Sequence, residues 1–272
     1  MGQGDACPTL LARCRKADCT LGEFAERAHN FLLELIPLHP GFANLRLVGK
    51  SIKDSPPLAA DLSNLKDWIL RRAWLDRLPI GCEYTNLGLD GRPTLDSRGG
   101  IGFALGVSNL KGWDGKVDIS LSDGNGVSAI CNIDLPRKDH PEFQQSALMR
   151  KMLEVVVRHS SVHYASVANG GWHTAVNWLC EQVDDNLRNI EVGWLTYVDD
   201  ASIADALPLG ITVQPLGHGV MFQLSERFLS YERPEDVAIG LRVRSALEAA
   251  GKLRVSPARS ERGISSSGER AP

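Results

Sequence analysis

The sequence lacks a hydrophobic run long enough to cross a membrane, because no stretch of about 18 consecutive apolar residues occurs. The first residues also lack the basic start and apolar block of a secretory signal, so we expect a cytoplasmic protein with no membrane partner. No large excess of charge is present either: 30 Lys and Arg face 33 Asp and Glu, for a net charge of −3. This balance argues against nucleic-acid binding through a broad basic surface.

The usual signatures of metal sites and catalytic sites are missing as well. The six cysteines form no Cys-x-x-Cys pair, the close spacing on which zinc ribbons and iron–sulfur sites depend. They are too few for a disulfide scaffold in 272 residues, so we expect reduced thiols. No Gly-x-Ser-x-Gly elbow occurs, and the segment RGGIGFALG lacks the Lys-Ser or Lys-Thr of a phosphate-binding loop. We therefore expect no cofactor, no metal and no enzymatic activity.

One histidine pair leaves an alternative open. His159 and His163 are four residues apart, which on a helix would place both rings on one face at metal-ligand spacing. A metal-dependent hydrolase could be built on them and nearby carboxylates. However, Ser160 stands where the metalloprotease motif requires Glu, and we expect the helix to end near this point.

The residues that are present predict an α+β protein. Hydrophobic residues make up 43% of the chain, enough for a full core. Helical spacing of apolar residues, capping residues and prolines predict about four to five helices: from Thr20, from Ser63, from Pro141 to about His159, from Thr174 to about Leu187, and from Pro234 to just before Gly251. No internal repeat and no heptad pattern is recognised.

Short strands occupy the remaining segments. Three alternating runs between Ile101 and Asp134 predict an antiparallel meander. Further strands follow in VGWLTYV, ITVQPL and VMFQLS, with a Gly-His-Gly turn at Gly217 to Gly219 between the last two. The segment from Thr9 to Arg15 is predicted as an edge strand. Adjacent antiparallel strands without regular strand-helix alternation favour α+β architecture, with the helices packed on the sheet. Residues 1–254 are expected to form one domain, with sub-lobes at 1–135 and 136–254 as the alternative, and the polar tail 255–272 is expected to be disordered.

The most unusual composition lies between residues 181 and 205, which we call the acidic segment. It holds seven acidic residues against a single basic one, Arg188. Such a segment is either a solvated loop face or an anionic patch that attracts a basic partner. The aromatic residues Trp194 and Tyr197 lie among the acids and are candidate interface anchors. Strand alternation would instead place at least one of them in the core. The candidate partner-binding residues are Asp184, Asp185, Glu191, Trp194, Tyr197, Asp199 and Asp200.

Three motifs in this half of the chain resemble a known family. They are Gly193-Trp194-Leu195-Thr196-Tyr197, Ser225-Glu226-Arg227-Phe228 and Pro234-Glu235-Asp236. Together with a weaker agreement in the N-terminal part, they resemble the immunity protein 52 family over about Thr9 to Leu253. These bacterial proteins are encoded beside polymorphic toxins and protect the producing cell.

The resemblance implies a non-enzymatic α+β protein that binds and neutralises a cognate toxin. Its usual partners resemble restriction-endonuclease-like nucleases, some of them delivered by the type VI secretion system. A nuclease must present cationic groups to phosphate, so an acidic inhibitor can occupy the same surface. The alternatives are the metal-dependent hydrolase described above and an intracellular binding module for some other partner.

Overall fold

The computed structural model describes residues 7–15, 19–75, 84–99, 103–111, 115–123, 129–136, 140–177 and 190–253. The strands within these residues are β1 (Pro8–Cys14), β2 (Arg46–Leu47), β3 (Tyr84–Thr85), β4 (Arg98–Gly99), β5 (Phe103–Ser108), β6 (Asp118–Asp123), β7 (Ala129–Asp134), β8 (Val162–Asn169), β9 (Leu195–Val198), β10 (Thr212–Leu216) and β11 (Gly219–Gln223). The α-helices are α1 (Leu21–Leu35), α2 (Leu65–Leu75), α3 (Ser146–His159), α4 (Gly170–Trp172) and α5 (Pro234–Ala249).

Nine strands form one sheet, in the order β10-β11-β9-β8-β1-β7-β6-β5-β2, and β3 pairs separately with β4. The predicted meander is confirmed, because β5, β6 and β7 pair consecutively and antiparallel. The C-terminal hairpin is also present, with Leu216 opposite Gly219 at the turn between β10 and β11. The α+β fold class is therefore confirmed.

The strand β1 lies in the middle of this sheet, so its prediction as an edge strand is wrong. It pairs with β7 on one side and with β8 on the other. Its buried residues alternate with half-exposed ones, and Leu10 and Ala12 are fully buried. A short strand of mixed composition does not reveal its neighbours, because these come from distant parts of the chain. The position of β1 joins the N-terminal strands to the C-terminal strands by hydrogen bonds.

Helices α1, α2 and α3 cover one face of the sheet. The predicted capping box opens α1: the Thr20 side chain accepts from the Glu23 N–H, and the Glu23 carboxylate accepts from the Thr20 N–H. α1 contacts α2 and α3, and α3 packs on β8 and β9. Arg150 of α3 donates through Nε to Gln223 Oε1 at 2.9 Å, which ties this helix to β11.

A second layer covers the C-terminal strands from the opposite face. Every residue of β9 and β11 is buried, so both of their faces are covered. A 3-10 helix over Ala201–Ala206 contacts β11, and α5 packs on it and on a π-helix over His173–Asn177. Gly240 allows α5 to pack closely on this region, because a Cβ at this position would lie 2.7 Å from the ring of Trp172 in α4.

Two predicted helices differ from the observed ones. The segment after His140 starts as a 3-10 helix over Pro141–Gln144, and α3 begins only after the extended residue Gln145. The helix predicted from Thr174 is a π-helix as far as Asn177. Its remaining residues, 178–187, and the tail 255–272 lie outside the described residues.

The strand β8 was not predicted. Its burial does not alternate, because layers on both faces cover most of it. Among the helices that the structure describes, none combines the length and apolar character of a bilayer-spanning segment.

Candidate functional site

The described acids among the candidate partner-binding residues fall at the two ends of β9 rather than in one patch. Glu191 precedes this strand, and Asp199 and Asp200 follow it. The strand between them rises about 3.3 Å per residue, so the two groups of carboxylates lie beyond opposite ends of this strand. Asp184 and Asp185 lie outside the described residues. The described acids therefore form two separate sites, and the second of these borders a cleft.

Trp194 lies in the core and is only 1% exposed. Its indole Nε1 donates to the Ser225 carbonyl at 2.7 Å, and its ring meets the Phe228 ring edge-on at 5.0 Å between centroids. The one hydrogen-bond donor of the indole side chain is thus used inside the protein. The prediction of Trp194 as a surface anchor for a partner is therefore wrong. Its ring instead holds β9 to the segment that follows β11.

Tyr197 is also buried, with 2% of its surface exposed, so it is not an exposed anchor either. Its hydroxyl points towards the cleft and lies 3.5 Å from Asp199 Oδ1. Burial, reinforced by the negative charge of Asp199, raises the pKa of Tyr197 to about 12. The phenol therefore stays protonated at physiological pH and can donate a hydrogen bond to Asp199.

Each described acid among the candidate partner-binding residues has a basic residue close by. Asp199 Oδ2 lies 2.6 Å from Arg15 Nη2, and Asp200 Oδ2 lies 3.3 Å from Lys252 Nζ. Asp200 also caps the 3-10 helix, and hydrogen bonds from Ser202 are the main reason why the pKa of Asp200 is lowered. Glu191 Oε2 is 3.6 Å from His173 Nδ1. Asp199 and Asp200 are thus paired with cations of the same chain, so their contribution to the predicted anionic patch is weaker than the sequence count implies.

A cleft of about 450 Å³ opens beside Tyr197 and Asp199. It lies between the C-terminal half of α3, the start of β8 and the turn between β10 and β11. Its charged and polar lining consists of Arg15, Glu154, Arg158, Ser160, Ser161, Tyr197, Asp199 and His218. The side chains of Arg15 and Arg158 are 57% and 59% exposed, so a partner can reach both guanidinium groups. The cleft therefore combines two of the predicted partner-binding residues, Tyr197 and Asp199, with charged side chains that a partner can reach.

The histidine pair considered for a metal site is split between two elements. His159 ends α3, and its Nε2 lies 2.9 Å from Glu34 Oε1 of α1. His163 belongs to β8, so the two rings do not share a helical face. Burial, with a smaller effect of Arg15, lowers the pKa of His163 although Asp199 opposes the shift. The geometry that motivated a metal-dependent hydrolase at this pair is therefore not found.

The motifs that carried the family resemblance form one structural cluster. Asp236 is completely buried at the start of α5 and accepts two hydrogen bonds from the Arg227 guanidinium, one of them 2.6 Å long. It also accepts from the Ser230 N–H at 2.9 Å. Because Trp194 and Phe228 pack beside this loop, the three motifs together hold the segment between β11 and α5. Their role in the described structure is architectural.

A different set of side chains could hold a metal ion: His39, His140 and Glu142. Their potential ligand atoms all lie within 4.8 Å of one another. Burial and the neighbouring His140 lower the pKa of His39, although Glu142 opposes the shift. None of the three was predicted, because the metal sites considered from the sequence were cysteine pairs and a histidine pair at helical spacing. A usable signal existed, since the string His-Pro-x-Phe occurs twice, at residues 39–42 and 140–143.

This chain matches a solved structure by its fold, but it matches no family model and no curated sequence. Among solved structures, the chain is similar to the Pseudomonas aeruginosa T6SS protein PA0821, with a TM-score of 0.54 and 12% sequence identity. The likeness covers 92% of this chain and 73% of that chain. At this level of identity, what the two proteins share is the fold, and the resemblance to an immunity family stays a prediction.

Proposed function

We propose that this protein binds a cognate toxin of a type VI secretion system and neutralises it by stoichiometric occlusion. The observation that carries the proposal is the fold shared with a T6SS protein over 92% of the chain. The motifs that resemble the immunity protein 52 family support the same conclusion. The proposed partner is a nuclease, and the proposed mode of action involves no bond made or broken by the inhibitor.

The cleft beside Tyr197 and Asp199 is the surface that we propose for docking. The aromatic anchors expected from the sequence are buried, so the rim has to supply the contacts. Arg15 and Arg158 are the most accessible charges there, and Asp200, at 48% exposure of its side chain, lies next to Asp199. A rim of alternating charge steers a partner and selects its orientation more than it adds affinity. The cleft supplies part of the roughly 800 Å² per partner that a lasting complex buries.

Binding is tested with the purified product of the neighbouring gene, because that product is the expected toxin. Mixing the two proteins should give a complex of fixed stoichiometry in size-exclusion chromatography and should abolish cleavage of a DNA or RNA substrate. If the proteins elute separately and the toxin remains active, the proposal is wrong.

Charge reversal then tests the docking surface. Arg158→Glu and Asp200→Lys should each slow association and change its dependence on salt, as measured by biolayer interferometry. Glu232→Lys is the matched control, because this exposed acid does not line the cleft. Asp184→Lys and Asp185→Lys, measured in the same way, test the remaining predicted contacts. Equal association rates for all variants would place the docking surface elsewhere.

A further inference from the structure

Two short segments of this protein have matching sequences and matching local structure. His39-Pro40-Gly41-Phe42 and His140-Pro141-Glu142-Phe143 both follow the pattern His-Pro-x-Phe. In each, the histidine occupies the N-cap of a 3-10 helix and the proline occupies its first position. The first segment follows α1, and the second precedes α3. The chain thus builds the same small unit twice, once after the C-terminus of α1 and once before the N-terminus of α3.

The two units pack against each other. The His39 and His140 rings meet edge-on with centroids 5.0 Å apart, and the Phe42 and Phe143 rings do so at 5.6 Å. His39 also packs on Phe143 at 4.3 Å. Phe42 and Phe143 are almost completely buried, which fixes the backbone that carries both histidines. This packing brings imidazole groups from distant parts of the chain to one place.

The donor atoms have a spacing that suits a small divalent cation. His39 Nε2 and Glu142 Oε2 are 3.7 Å apart, and the donors of His39, His140 and Glu142 lie within 4.8 Å of one another. Two ligands of a tetrahedral zinc ion are separated by about 3.4 Å, given metal–ligand distances near 2.1 Å. Glu142 is half-exposed and can move the remaining distance, whereas His39 is held in the core.

We propose that His39, His140 and Glu142 form a binding site for a divalent transition metal, with zinc as the best fit. Two imidazoles and one carboxylate are a donor set that zinc accepts, and three protein ligands leave a fourth position for water or a partner's side chain. The bound metal would link the segment after α1 to the segment before α3. The proposal does not depend on toxin binding.

One hydrogen bond in the present structure has to change when the metal binds. The Gly41 N–H donates to His39 Nδ1 at 3.0 Å, so in the neutral ring the proton resides on Nε2. Coordination by Nε2 requires that proton to move to Nδ1 through solvent, which leaves the ring neutral and ends the bond with Gly41. The cost is one hydrogen bond and a buried Gly41 N–H left facing the new Nδ1–H, and the three metal–ligand bonds have to offset it.

Calorimetric titration of the full chain with Zn²⁺, after treatment with a chelator, tests the site. We expect one zinc ion per chain, and at least about tenfold weaker binding for His140→Ala and for Glu142→Gln. His218→Gln should bind zinc as the wild type does, because this exposed histidine lies outside the cluster. His39 is left unchanged in this test, because it is buried and its replacement would also affect folding.

Spectroscopy with Co²⁺ in place of zinc identifies the ligands. A tetrahedral site of nitrogen and oxygen donors should give visible d–d absorption that is lost in Glu142→Gln. An intense thiolate charge-transfer band would assign the metal to cysteines and overturn the proposal. Equal zinc affinity in wild type, His140→Ala and Glu142→Gln would overturn it too, as would the absence of binding in the wild type.

Discussion

Asp236 carries its charge at a position with no exposed surface. Burial alone would raise the pKa of this carboxyl, but hydrogen bonds from the Arg227 guanidinium and the Ser230 N–H outweigh it, and the pKa is lowered. A group with a lowered folded-state pKa stabilises the protein above its unfolded pKa, near 3.9, and loses that contribution as the pH falls through the folded value. The pair is therefore a determinant of stability at neutral pH and of resistance to acid.

Replacing Arg227 tests this pair. Arg227→Ala leaves a buried carboxylate with only the Ser230 N–H and the more distant Arg233, so we expect a loss of about 3 kcal/mol in the free energy of unfolding at pH 7. The pKa of Asp236 should rise in the variant, so that acid unfolding begins at a higher pH. Urea denaturation over a series of pH values measures both effects.

Glu235→Gln is the control for that experiment. This neighbouring acid in the first turn of α5 is exposed, so its replacement should change stability by no more than about 0.5 kcal/mol. Equal stability of Arg227→Ala and wild type at pH 7 would contradict the role assigned to the pair.

Individual residues of the candidate site were predictable only in part. Strand alternation correctly raised the possibility that Trp194 or Tyr197 belongs to the core, and the structure buries both. A four-residue strand cannot reveal this, because elements that are distant in sequence, among them α3, bury every residue of β9. The pairing of Asp199 with Arg15 was equally invisible, since the two residues are far apart in the chain.

Elements with strong local signals were predictable at the scale of helices and hairpins. The capping box of α1, the proline that opens α5 and the turn between β10 and β11 all depend on neighbouring residues, and all three are observed. β8 was missed because burial on both faces removes the alternation that identifies a half-exposed strand. The central position of β1 depends on long-range pairing and is likewise not a local property.

The turn between β10 and β11 offers a test at this scale. A Cβ on Gly219 would lie 2.0 Å from the Val198 carbonyl oxygen, a backbone atom that cannot move without disturbing β9. We expect Gly219→Ala to lower the free energy of unfolding by about 3 kcal/mol or more. Thermal or urea unfolding measures the change.

Gly170 provides the matched comparison, because a Cβ there would meet nothing within 4 Å. Gly170→Ala should leave stability unchanged or raise it by up to about 1 kcal/mol, since it restricts the unfolded chain. A Gly219→Ala variant as stable as Gly170→Ala would show that β9 and β11 are less tightly packed than described.

For the whole molecule, the hydrogen bonds of β1 decide how the two halves of the chain unfold. β1 pairs with β7 and β8 along most of its length. If either the strands on the β7 side or those on the β8 side left the sheet alone, one hydrogen-bonding edge of β1 would be exposed. We expect β6 and β9 to lose amide protection at the same urea concentration in hydrogen-exchange mass spectrometry. Loss of protection in β9 while β6 stays protected would favour the alternative of two sub-lobes.

The central place of β1 also has a consequence for biosynthesis. This strand leaves the ribosome well before its neighbours, residues 129–134 and 162–169, have been translated. During that interval both of its hydrogen-bonding edges and the side chains of Leu10 and Ala12 have no native partners. Such a nascent chain is prone to premature association with other polypeptides, because unpaired strand edges promote aggregation.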